Sequence, residues 1–271
     1  MEIIIPKQPE KNAIHPVVIF KQAWGACWGH LGKLSVIYLI FNVPLTVVSL
    51  IPQLQSLPGF MWIWMVLAIV IGSWGGIALL LAVNKVLGGQ EYTVGQSISQ
   101  AQLFLGKYIL TVLSIGLFVG SIFIAGGICA AFFRTSFLAA NVPLSFVCLL
   151  AIIALIGVFV FFILRWSVAT AVCVLENSGA PASLKQSFTL VKKNINPLLG
   201  VYCLKALTYI CCLLPMVIVV TISGKHVGSA NSQNAAVSLS MTVYIILLSA
   251  ILNPFWTTML VILYKKLKEA A

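Results

Sequence analysis

Long apolar runs alternate with short polar stretches along the whole chain. Six runs are long enough to span a membrane: 34–52, 60–83, 108–133, 143–164, 198–222 and 237–264. A helix rises about 1.5 Å per residue, so about 20 apolar residues cover the roughly 30 Å hydrocarbon core of a bilayer. A lone strand cannot satisfy its backbone in lipid, so each run predicts a helix. The expected fold class is all-α integral membrane, with six transmembrane helices. The end of the fourth run is open. After Arg165, "WSVATAVCVL" stays apolar to residue 175, so that helix has two possible ends.

The polar stretches carry a pattern of their own. "FKQAWGACWGHLGK" from 20, "VGQSISQAQLFLGK" from 94 and "LKQSFTLVKKNINP" from 184 align without gaps. Gln22, Gln96 and Gln186 coincide. Apolar residues recur at i, i+4, i+7 and i+11: Phe20, Trp24, Cys27, Leu31; Val94, Ile98, Ala101, Leu105; Leu184, Phe188, Val191, Ile195. That spacing is one face of an α-helix. Thr93 with Gln96, and Ser183 with Gln186, match a capping box, in which the third helical residue reaches back to the cap. Ile19 interrupts the box in the first segment. The chain is thus expected to hold three tandem units, at about 17–83, 93–175 and 183–264, within a single membrane domain. Each unit is an interfacial amphipathic helix followed by a transmembrane hairpin, so the repeats share one orientation.

Charge gives the chain a side. The N-terminus, the 84–107 and 165–197 loops and the C-terminus hold thirteen basic residues, against Arg134 and Lys225 on the other side. The positive-inside rule then puts both termini in the cytoplasm. The formal net charge of +11 is read as facing anionic lipid head groups, not nucleic acid, because no aromatic-basic motif accompanies it. Only 8% of residues are charged, far below the roughly 25% of soluble domains. The seven cysteines (27, 129, 148, 173, 203, 211, 212) lie scattered in apolar surroundings without a CxxC. They suggest neither disulfides nor a metal site. The N-terminal stretch lacks the pattern of a cleaved signal peptide, so the first span is expected to direct insertion.

Residues 165–204 resemble the membrane domain attached to some bacterial glycerophosphoryl diester phosphodiesterases, and related multi-pass proteins. Arg165, Val174-Leu175-Glu176, Gly179 and Lys185-Gln186-Ser187-Phe188 follow in the family's order, and "FKQAW" at 20–24 is similar to the same element. The resemblance implies a prokaryotic plasma (inner) membrane protein. It does not imply the phosphodiesterase activity, which in that family belongs to a soluble barrel. No stretch here is long and polar enough to be one.

Candidate chemistry is sparse. The chain has no Asp, and its five Glu lie outside the apolar runs. His15, His30 and His226 are far apart, and no nucleophile elbow, P-loop or HExxH is present. No catalytic residue, metal or cofactor is nominated. Lys205 lies inside the fifth run; it is either a snorkelling side chain or part of a polar site between helices. Arg165 and Glu176 would share a face, about 16 Å apart, if their helix is continuous. Gly72 with Gly76, and Gly116 with Gly120, have the spacing that lets helices approach closely. Pro44 and Pro254, each near an Asn, are expected to kink their spans.

These features lead to a non-enzymatic multi-pass protein that binds or organises lipid, or holds a membrane-protein partner. Lys21, Lys185, Lys192, Lys193, Lys205 and Arg165 are the candidate head-group or partner ligands. Gln22, Gln96, Gln186, Glu176 and the four glycines are the structural set. A transporter or lipid translocase is the alternative, and an intramembrane enzyme the more remote one.

Overall fold

A computed structural model describes residues 14–49, 51, 59–139, 141–192, 194–226 and 231–271. Within these residues the chain is helical, with no strand. The helices are α1 (Pro16–Trp28), α2 (Leu31–Ser49), α3 (Phe60–Leu87), α4 (Val94–Ala101), α5 (Leu105–Leu138), α6 (Val142–Arg165), α7 (Ala169–Leu175), α8 (Ala180–Lys192), α9 (Ile195–His226) and α10 (Asn231–Glu269). Six of them, α2, α3, α5, α6, α9 and α10, are long and apolar enough to cross a membrane, consistent with a multi-pass membrane protein. The 39 residues of α10 span about 58 Å. Polar end turns, Asn231–Asn234 and Lys265–Glu269, make up part of the excess over the hydrocarbon core.

Local chemistry sets the helix ends. Gly88 N–H bonds to Asn84 O at 3.1 Å and Gln90 N–H to Lys85 O at 3.0 Å, with Gly89 at φ 65°. This is the left-handed cap that stops α3, a conformation glycine adopts without strain. Thr93 Oγ1 accepts from Gln96 N–H at 3.3 Å, which is the N-cap half of the expected box.

The box expected at Ser183 does not form. Proline is favoured in the first helical turn, and with Pro181 there α8 starts at Ala180. Ser183 therefore lies inside the helix, buried, and donates to Gly179 O at 2.8 Å. The fourth run forms one helix, α6, and of its two possible ends the helix takes the one at Arg165. Residues 166–168 form a turn between α6 and α7, so Arg165 and Glu176 do not share a continuous face.

The chain divides into two compact units, residues up to 105 with 196–271, and 106–195. In the first unit α2, α3 and α10 pack together. Gly75 makes this possible, because a Cβ there would lie 2.9 Å from Phe41 Cβ on α2. The space beside Gly72, Gly116 and Gly120 is open, so close helix approach inside the chain is not made at these three glycines. Pro254 has no N–H to give Ala250 O. Ser35 Oγ on α2 donates to that carbonyl instead, at 2.7 Å. In the second unit α5 and α6 meet through aromatic rings, Phe118 with Phe162 at 4.5 Å and Phe123 with Phe159 at 5.5 Å.

Candidate functional site: the short helices and their clasps

The three short helices α1, α4 and α8 contain the aligned segments. Their buried faces fall at common offsets. The fourth residue of each segment is buried and small: Ala23, Ser97, Ser187. The eighth is buried too: Cys27, Ala101, Val191. The eighth residues lie on the apolar stripe read from periodicity, whereas the fourth lie one position before its Trp24, Ile98 and Phe188. Small side chains let each short helix lie close on its neighbour, and the larger apolar residues flank the seat. On α1 this leaves Trp24 48% and Trp28 61% exposed, beside exposed Lys21. Trp28 stacks on Trp24 at 5.1 Å.

Each short helix sits on the second span of the hairpin before it, and the first sits on the last. In the first unit α4 packs on α3, and Trp74 Nε1 donates to Ile98 O at 2.9 Å. In the second unit α8 packs on α6 and α7, and Arg165 Nη1 donates to Phe188 O at 3.2 Å. Ile98 and Phe188 are both the fifth residue of their segments. In the first segment that residue is Trp24, which meets Phe255 of α10 edge-on at 5.7 Å. Phe20 does the same at 5.0 Å.

Arg165 is 7% exposed and is engaged by the protein itself. Its guanidinium lies 4.4 Å from the Phe188 ring centroid and 5.1 Å from that of Phe161. Ser187 Oγ closes the clasp by donating to Arg165 O at 2.7 Å. Gln186 Nε2 donates to Glu176 Oε2 at 2.6 Å, tying α8 back to the end of α7. Lys21, Lys185 and Lys192 are exposed and belong to no such clasp. Lys193 lies outside the described residues. Lys205 is half-buried, with Nζ 5.7 Å from the Trp256 ring and 5.9 Å from the Tyr202 ring. Gln22 is exposed on α1.

A cleft in the first unit was not foreseen from the sequence. His30, Lys33, Gln90, Glu91, Tyr92 and Gln96 line a space of about 560 Å³ where α2 begins and α3 ends. These residues come from stretches about sixty apart in sequence. The available signal was the match of Lys33 with Lys107, both fourteenth in their segments.

Among the described residues, no three His, Cys, Asp or Glu side chains gather as a metal site would need. No family model, no curated protein and no solved structure matches the chain.

Proposed function

We propose that this is a non-enzymatic plasma-membrane protein of a prokaryote, built from three tandem units, that binds anionic lipid at its cytoplasmic face. The supporting observation is the exposed face of α1, where Lys21 stands beside Trp24 and Trp28. Indole rings favour the head-group level of a bilayer, and lysine there pairs with lipid phosphate. Exposed Lys185 and Lys192 extend the same chemistry to α8. The tandem-unit reading draws support from the shared seat of the three short helices and from the paired clasps of Trp74 and Arg165. The likeness of residues 165–204 to the membrane part of glycerophosphoryl diester phosphodiesterases agrees with the inner-membrane setting.

The test is mass spectrometry of lipids that co-purify in mild detergent, compared with the bulk membrane. Anionic lipid should be enriched. Replacing Lys21, Lys185, Lys192 and Lys193 with Gln should remove most of the enrichment. A profile equal to bulk in the unaltered protein would overturn the proposal. The rival reading, a transporter or translocase, has one observation in its favour: Lys205, a half-buried cation within a span, against Trp256 and Tyr202. Solute uptake into vesicles that is lost in Lys205→Met would favour it.

A further inference from the structure

The geometry points to a phosphoryl-binding site in the His30–Lys33–Tyr92 cleft, fitted to a monoanionic phosphate group such as a phospholipid head group carries. Two lysines occupy equivalent places in their segments. Lys107 is fourteenth in its segment, and its Nζ donates to Asn177 O at 3.1 Å and Asn177 Oδ1 at 2.8 Å. Asn177 follows α7 with φ 52°, a left-handed residue in the loop that leaves the second hairpin. In the second unit, then, the loop itself supplies the acceptors for the ammonium.

Lys33 holds the same position in the first segment and faces the loop that leaves the first hairpin. There the left-handed residue is Gly89, at φ 65°, which has no side chain to offer. Among the described residues Lys33 Nζ makes no hydrogen bond; it stands 5.7 Å from the Tyr92 ring centroid. Where the second unit has the Asn177 acceptors, the first has the open cleft of about 560 Å³. That size is in the range of small-molecule sites.

The groups around it are mostly donors. The His30 ring, 6.2 Å from the Tyr92 ring, has no hydrogen bond among the described residues. Tyr92 is 5% exposed and its hydroxyl is buried without a partner. Burial, with a smaller contribution from Cys27, pushes this hydroxyl up from its ordinary value, so it stays a donor at neutral pH. Gln90 and Gln96 add amides. An ammonium, an imidazole and two amides lining one space match the acceptor oxygens of a phosphate, with the Tyr92 hydroxyl a further donor buried behind the wall. Glu91 is the one carboxylate in the lining, and its charge disfavours a dianion. In the third segment Pro197 takes the lysine's place.

For a lipid phosphate, the inference relies on the proposal that this end of the chain faces the membrane–water interface. Native mass spectrometry of the full chain, titrated with phosphatidylglycerol and separately with inorganic phosphate, tests it. Lys33→Gln should weaken phosphatidylglycerol binding at least tenfold, and Tyr92→Phe roughly threefold. Lys33→Arg should keep binding within about threefold. Lys107→Gln should leave it unchanged, since that lysine is already paired. Binding of phosphatidylglycerol without competition from inorganic phosphate identifies a lipid site. Competition by millimolar phosphate identifies a soluble phosphate site of the same chemistry. No binding of either, or equal binding by the Lys33→Gln protein and the unaltered one with matching melting temperatures, overturns the inference. The interfacial lysines give a separate readout. If their replacement abolishes lipid enrichment while Lys33→Gln has no effect, the cleft fails and the proposed function stands. The reverse result keeps the cleft and removes the interfacial lysines as the lipid ligands.

Discussion

At the scale of single residues, Arg165 and Trp74 do similar work with unlike chemistry. Each donates one N–H to the backbone of a short helix, and each reaches the same position of an aligned segment. Arginine can also stack its planar group on Phe188 and Phe161, which a lysine ammonium cannot reproduce. Arg165→Lys should therefore destabilise the second unit, by about 2 kcal/mol for a lost charge-assisted bond in a buried setting; thermal unfolding in mild detergent measures it. Cys27 allows a test by pH. Burial pushes its thiol above the ordinary 9.0, with the neighbouring Thr258 side chain partly opposing. The folded state thus holds this proton more tightly than the unfolded one. Its contribution to stability is complete below pH 9.0 and is lost as pH rises through the folded value. The melting temperature should fall above that pH, and Cys27→Ala should flatten the fall.

At the scale of elements, packing depends on where backbones come close. Gly75→Leu would force a side chain into Phe41 and should cost about 1–3 kcal/mol. Gly72→Ala, three residues earlier in open space, should be neutral or stabilising by up to about 1 kcal/mol, since a helical glycine is entropically unfavourable. Parallel thermal scans distinguish the two. Ser35 and Pro254 should be coupled. Ser35→Ala costs about 1 kcal/mol when the Ala250 carbonyl has no helical donor, and less in a Pro254→Ala background, where residue 254 regains its N–H. A double-mutant cycle reads the difference.

The same scale explains what could be read from the chain. The six spans were legible because twenty apolar residues in a row have few other uses. The short helices were legible by alignment, and so was the eighth residue of each seat, but the fourth was missed by one position. Periodicity gives weight to large apolar side chains, whereas contact is made through Ala23, Ser97 and Ser187. The end of the fourth span was left open between Arg165 and residue 175 because Trp, Ser and Val at 166–168 carry no stop signal. The cleft was hidden because its walls are distant in sequence and meet only when α2 and α3 are side by side.

At the scale of the whole molecule, chain order and contact order differ. The second and third short helices lie on the spans made just before them, whereas α1 lies on α10, made more than two hundred residues after it. Phe20 meets Phe255, and Ser35 bonds across 215 positions to Ala250. During synthesis the partner of α1 does not yet exist. At roughly 5–20 residues per second, the first helix waits on the order of ten to fifty seconds for its seat. A nascent chain stalled before residue 250 should expose the α1 region to protease, while the released full-length protein should protect it. Docking of α1 thus waits on a helix synthesised more than two hundred residues later in the same chain.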